Sequence, residues 1–207
     1  GFRWSYYGEV NLDAQFGVRL RNNVIEDAEA NADPKLGGSS PQALINHSFS
    51  SFVPASQYGN EHPEYFPERN GQRLWNVADG ETQLCLTNPD VLQLVVNSVL
   101  QTLETNPWMG NVSVSQNDNL MYCQCAPCTA INEREGTPMG SLLAFVNAVA
   151  VQVSSTHPQV RIGTLAYQYS RTPPKTVRPH ANVQIQLSTI ECCQMHPISD
   201  PSCPLNV

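Results

Sequence analysis

Three cysteines, Cys123, Cys125 and Cys128, form a C-x-C-x-x-C array. Thiolates at this spacing can ligate a structural zinc ion if a fourth ligand comes from elsewhere, and the run CCQMH at 192–196 offers candidates. In an oxidising compartment the same thiols would form disulfides, for example with the cysteine pair of that run. We predict disulfides ahead of zinc, with catalytic thiol chemistry last and no other cofactor. In either leading case the array would brace the loop that presents Asp118.

Two carboxyl groups lie where apolar runs end. Asp118 follows "NVSVSQN", and Glu191 follows "NVQIQLSTI". One acid and one base or nucleophile are what glycoside cleavage requires, so we predict this pair as catalytic. The competing interpretations are an Asx-turn at Asp118 and an ordinary ion pair of Glu191 with Arg171 or Arg178.

Amide, aromatic and basic side chains are expected around these carboxyls. The predicted substrate-binding residues are Arg3, His47, Gln116, Asn117, Tyr167, Gln168 and Tyr169. Dense neutral hydrogen bonding beside aromatic rings suits a sugar better than a phosphate. Arg3 could hold a uronic-acid carboxylate or merely neutralise nearby acids, and His47 could equally be a structural histidine.

Alternating strand-like and helix-like segments must position these groups. The predicted strands are 2–7, 45–52, 83–87, 111–116, 160–168 and 182–191, and the predicted helices are 12–21, 88–107 and 141–157. This alternation predicts parallel strands, whose carboxyl ends gather functional groups. We therefore expect an α/β fold, a partial (β/α)8 TIM-type barrel forming a single domain over 1–207.

Composition restricts the partners. The net charge is −7 and the eleven Lys and Arg residues are scattered, which argues against nucleic acid. No apolar run approaches the ~20 residues that span a bilayer. The cysteine number and two sequons, at Asn46 and Asn111, favour a secreted, extracellular glycoprotein. The start at Gly1 suggests a segment whose partners include the rest of a parent chain.

Several motifs in this order resemble one family. They are "FRWSYYGEV", "HSFSSFVPASQYGNEHPEYF", "QLCLTNPDV", "YCQCAPCTAINEREG", "TLAYQYSRTPPK" and "STIECCQMHP". Together they are similar to a secreted family of unassigned function, placed beside α-glucuronidase-like and hexosaminidase-like barrel glycoside hydrolases. The "NLM" after Asp118 departs from the smaller turn of that pattern.

The resemblance implies a TIM-type barrel and hydrolysis of glycosidic bonds, including those of uronic acids. The alternative is a non-catalytic carbohydrate-binding or structural glycoprotein module. A third possibility, a zinc-dependent hydrolase, would need a metal with an open coordination position near Asp118.

Overall fold

A computed structural model describes residues 45–205. The helices are α1 (Phe49–Phe52), α2 (Ala55–Tyr58), α3 (Pro89–Thr105), α4 (Ala126–Glu135) and α5 (Met139–Ser154). The strands are β1 (Glu68–Arg69), β2 (Gln72–Arg73), β3 (Asn111–Ser113), β4 (Arg161–Ala166) and β5 (Val183–Leu187). Short 3₁₀ turns cover Pro63–Tyr65 and Gln168–Ser170.

The main sheet is parallel, with strand order β3-β4-β5. β1 and β2 form a separate antiparallel hairpin. The prediction of parallel strands is confirmed, but the TIM-type barrel is wrong: across 45–205 the sheets have three and two strands and neither closes on itself. This part of the chain is a small α/β domain. The predicted strand 2–7, the predicted helix 12–21 and Arg3 lie outside the described residues.

Two segments predicted as strands lie near β3 without forming strands. In 45–52, the Ser48 hydroxyl donates to the Ser113 carbonyl at 2.9 Å and accepts from the Ser115 amide at 3.0 Å, and the chain then turns into α1. In 83–87, the Gln83 amide accepts from the Asn117 N–H at 3.0 Å and donates to the Asn117 carbonyl at 2.8 Å. In both places a side chain makes the pair of hydrogen bonds that a neighbouring strand would make.

The prediction of a helix at 88–107 is confirmed by α3. The Asn88 side chain accepts hydrogen bonds from the amides of Asp90 and Val91 at 2.8 and 3.2 Å, and Pro89 occupies the first turn. These are the capping and first-turn preferences of helices. The buried stripe of α3 is Val91, Val95, Val96, Val99 and Leu103.

The prediction of a helix at 141–157 is also confirmed, since α5 covers most of it. Leu142, Phe145, Val146 and Val149 of α5 are at most 3% exposed and pack in the core with α3 and the sheet. In the described part of the chain no single helix is long and apolar enough to cross a membrane. Taken together α4 and α5 reach that length and hydrophobicity, but the pair is bent by 105°.

Glu135 connects the end of α4 to the β4–β5 crossover. Its carboxylate accepts hydrogen bonds from the Thr176 hydroxyl at 2.6 Å, the Thr176 amide at 2.7 Å and the Val177 amide at 3.0 Å. The Thr176 hydroxyl, the two amides and Arg134 together lower the pKa of Glu135 to about 2. Glu135 was not singled out from the sequence, because its partners lie about forty residues away.

The Glu135→Gln variant is expected to unfold at a lower temperature than the wild type at pH 7. A carboxylate with a lowered folded-state pKa stabilises the fold above its unfolded pKa of ~4.3, and this contribution is lost as the pH falls toward the folded value. The difference in melting temperature should therefore shrink between about pH 4.5 and the folded pKa of about 2. Differential scanning calorimetry measures it, with Glu133→Gln, an exposed neighbour, as control. A difference that is independent of pH would contradict this role.

Candidate functional site

A pocket of about 880 Å³ lies at the carboxyl ends of β4 and β5. Its polar side includes His47, Asp118 and Tyr167. Apolar side chains and further polar ones complete the lining: Ile45, Asn46, Leu165, Gln186, Leu187, Ser188, Thr189, Ile190 and Gln194. This mixture offers both hydrogen-bonding groups and apolar surface to a ligand.

Asp118 is the centre of a polar cluster at this pocket. Its Oδ1 accepts a hydrogen bond from Gln168 Nε2 at 3.1 Å, and its Oδ2 lies 4.0 Å from His47 Nε2. The Asp118 side chain is 59% exposed, so a ligand can reach it. The Asx-turn predicted as its alternative role is made instead by Asn119, whose Oδ1 accepts from the Met121 amide at 2.9 Å.

His47 reaches the cluster because residues 46–49 run beside β3. Its Nδ1 lies 2.6 Å from the Gln116 carbonyl oxygen, which can only accept, so Nδ1 carries the hydrogen. The other ring nitrogen, Nε2, is the one that faces Asp118. His47 and Asp118 lie at the same rim of the pocket, and the predicted contact of His47 with a substrate stays a prediction.

Tyr167 forms the wall between His47 and Gln168. Its ring centroid is 5.9 Å from that of His47, and its hydroxyl lies 3.1 Å from Gln168 Nε2. Burial raises the pKa of Tyr167, and its hydrogen bond to the Asp118 carboxylate raises it further. The phenol is thus held protonated and can donate a hydrogen bond toward Asp118 or a ligand.

Gln168, which contacts both Asp118 and Tyr167, has an unfavourable backbone conformation. Its φ is +50°, a left-handed value that glutamine rarely adopts. Such strain persists where the surroundings fix it, and it concentrates at functional sites. Here it directs the side-chain amide of Gln168 at Asp118 and Tyr167 together.

Gln116 and Asn117 were predicted to bind substrate, but both side chains are structural. They are 1% and 3% exposed. Gln116 Nε2 donates to Ser170 Oγ at 2.7 Å, and Asn117 Nδ2 donates to the Thr82 carbonyl at 2.7 Å. They set the path of the chain before Asp118 and are not among the residues that line the pocket, and their contact with a substrate stays a prediction.

Glu191 and Tyr169 lie outside the pocket lining. Glu191 Oε2 is 3.8 Å from Arg171 Nη1, which is the ion pair considered as its alternative role. It still lies next to the lining residue Ile190, and its charge contributes to the raised pKa of Tyr167, after burial and Asp118. Tyr169 packs on Tyr122, with ring centroids 5.1 Å apart, and its contact with a substrate stays a prediction.

A second feature is a group of four buried cysteines, Cys85, Cys123, Cys125 and Cys128. All four Sγ atoms lie within 4.8 Å of one another, and each residue is at most 5% exposed. Hydrogen bonds from Cys123 and Cys128 lower the pKa of Cys85, which favours a thiolate in this group. The four thiols could hold a metal ion.

Cys85 was missed by the sequence interpretation, which sought the fourth ligand at 192–196. Nothing in the spacing around Cys85 indicates metal binding, since it stands alone in an apolar segment. The expected disulfide is also wrong. All seven cysteines lie in the described part of the chain, and no disulfide joins any two of them there. Cys193, His196 and Cys203 form a separate group of possible ligands.

The two sequons differ in accessibility. Asn111 is in β3 and is 1% exposed, so the folded domain offers little room for a glycan there, and its glycosylation is an untested prediction. Asn46 is exposed beside the pocket, and its glycosylation stays a prediction.

A family model described as "Domain of unknown function (DUF4838)" matches residues 3–204, and the chain therefore belongs to that family. Comparison of the chain with curated proteins and with solved structures found no match. The family description names no activity.

Proposed function

We propose that the protein binds a glycan in the pocket at the ends of β4 and β5 and hydrolyses a glycosidic bond there. The observation that carries the proposal is the convergence of His47, Asp118 and Tyr167 on one open pocket. A carboxylate, an imidazole and a phenol in contact provide groups that can move a proton and bind sugar hydroxyls.

The chemistry of the lining supports a sugar as the ligand. A pyranose ring has hydroxyl groups on its edge and C–H groups on its faces, so it needs polar and apolar contacts side by side. The pocket supplies apolar contacts through Leu165 and Leu187 and polar contacts through Gln186 and Ser188. The Tyr167 ring offers a flat surface for stacking.

In this proposal Asp118 is the general acid or base at the glycosidic oxygen. Glu191 is the second carboxyl, since it lies beside the pocket and acts electrostatically on Tyr167. Its ion pair with Arg171 would have to open or turn for Glu191 to reach a sugar. If it does not, the protein is a glycan-binding module without catalysis.

Glycan binding is tested by titrating the protein with a panel of oligosaccharides containing uronic acids or hexosamines. The Tyr167→Ala variant should weaken binding roughly tenfold or more, which corresponds to about 1.4 kcal/mol. Tyr167→Phe keeps the ring and loses only the hydroxyl, so its affinity should lie between those of the wild type and Tyr167→Ala. Isothermal titration calorimetry measures each constant. A folded protein that binds no glycan of the panel, or a Tyr167→Ala variant that binds as tightly as the wild type, would overturn the proposal.

A further inference from the structure

The geometry of the four-cysteine group matches one coordination shape. The Sγ atoms of Cys85 and Cys125 are 3.7 Å apart, and no pair among the four exceeds 4.8 Å. A tetrahedron with Zn–S distances of ~2.3 Å has sulfur–sulfur edges of ~3.8 Å. A disulfide would need ~2.05 Å, and an iron–sulfur cluster would place its own iron and sulfide atoms between more widely separated thiolates.

We propose that Cys85, Cys123, Cys125 and Cys128 bind one Zn²⁺ ion as thiolates, and that this ion is structural. Four cysteine ligands close the coordination sphere and leave no position for water or substrate. The ion therefore takes no part in hydrolysis, and the proposal does not depend on the glycan site.

Hydrogen-bond donors surround the sulfurs as they do in structural zinc sites. The Glu68 amide donates to Cys123 Sγ at 3.3 Å, and the Thr87 hydroxyl lies 3.3 Å from Cys128 Sγ. Four thiolates carry more negative charge than the ion neutralises, and the guanidinium of Arg73, 3.9 Å from Cys123 Sγ, offsets part of the excess.

The β1–β2 hairpin places two of these donors beside the cysteine sulfurs. Glu68 and Arg73 lie on the β1–β2 hairpin, which turns through Asn70 and Gly71 at φ +51° and +75°. Asn-Gly is the preferred pair for such a two-residue turn. The Gln124 amide then donates to the Glu68 carbonyl at 2.8 Å, which fixes the hairpin against the loop that carries Cys123.

The ion would connect the two segments on which the candidate site depends. Cys85 lies two residues after Gln83, whose amide binds Asn117 and Asn119, and Cys123 follows the turn that contains Asp118. The amide network holds one side of this turn and the metal holds the other. Zinc is thus expected to fix the position of Asp118 without contacting it.

Metal analysis of the purified protein tests the proposal. The protein, prepared under reducing conditions with zinc present and then dialysed, is compared with Cys85→Ser and with the control Cys192→Ser. Cys192 is also buried, but it belongs to neither group of ligands and its sulfur accepts a hydrogen bond from Arg171 at 3.0 Å. Inductively coupled plasma mass spectrometry should show that Cys85→Ser loses one zinc per chain relative to the wild type and that Cys192→Ser loses none.

A second measurement covers the case in which Cys85→Ser does not fold. Cobalt substituted into the wild type should show visible bands of tetrahedral geometry and near-ultraviolet charge-transfer bands with the intensity of four thiolates, and zinc should abolish both. A wild type without stoichiometric zinc, iron in its place, equal zinc in a folded Cys85→Ser variant, or a cobalt spectrum of fewer thiolates would overturn the proposal.

Discussion

Replacing Asp118 by asparagine is expected to lower the rate of glycoside hydrolysis by roughly 10²- to 10⁴-fold, the range that a positioned acid or base contributes. Asparagine has nearly the same shape and can still accept the hydrogen bond from Gln168, so the fold should be unchanged. It cannot transfer the proton. The measurement is kcat for sugar release from a glycan that the wild type binds, and the fall should appear in kcat rather than in KM.

Asp200→Asn is the matched control for this variant. The Asp200 carboxylate accepts hydrogen bonds from the amide and the hydroxyl of Ser202, and Asp200 lies outside the pocket lining. Its replacement should therefore leave the rate of hydrolysis unchanged. Glu191→Gln then tests the second carboxyl: a comparable loss assigns the pair, and full activity would contradict the role proposed for Glu191. An Asp118→Asn variant that keeps half of the wild-type kcat would contradict the assignment.

Removing zinc is expected to lower the melting temperature by roughly 8 to 16 °C. An ion that binds only the folded state adds about 4 kcal/mol when its concentration is 1,000 times its dissociation constant, and each kcal/mol is worth about 2 to 4 °C in a chain of this size. The Cys85 segment, the Cys123 loop and α4 would be released together, since all carry ligands. Differential scanning calorimetry with and without a chelator measures the shift.

Two comparisons make this result specific. Zinc added back in excess of the chelator should restore the wild-type melting temperature. A folded Cys85→Ser variant lacks the site, so the chelator should shift it far less. If the chelator leaves the melting temperature of the wild type unchanged, the four thiols stabilise the fold without a metal.

Local signals explain which elements could be predicted from the sequence. The Asn88 cap, Pro89 and the apolar stripe that follows are consecutive features of one helix, and α3 begins where they indicate. The strand β4 is likewise a short, mostly buried run, and β5 alternates apolar and polar residues as a strand does. The prediction that the sheet closes into a barrel was wrong. The same alternation of strands and helices is typical of a barrel and of a small open sheet, because each strand has the same residue pattern in both.

Long-range side-chain contacts explain the errors at the site. Gln116 and Asn117 follow a strand as site residues do, but their buried side-chain amides donate to the Ser170 hydroxyl and the Thr82 carbonyl, far away in the chain. Cys85 joins Cys123 only because the chain before α3 folds against the loop after Asp118. The placement of Asp118, Tyr167 and Gln168 could be anticipated, since the carboxyl ends of parallel strands share one edge. His47 reaches the same edge from a segment that runs beside β3 without forming a strand.

The most direct test of the central claim is a crystal structure of the Asp118→Asn variant with an oligosaccharide that the wild type cleaves. The account predicts a sugar ring in the pocket at the ends of β4 and β5, in contact with Tyr167 and with its glycosidic oxygen within hydrogen-bond distance of residue 118. A sugar bound elsewhere on the protein, with this pocket empty, would contradict it.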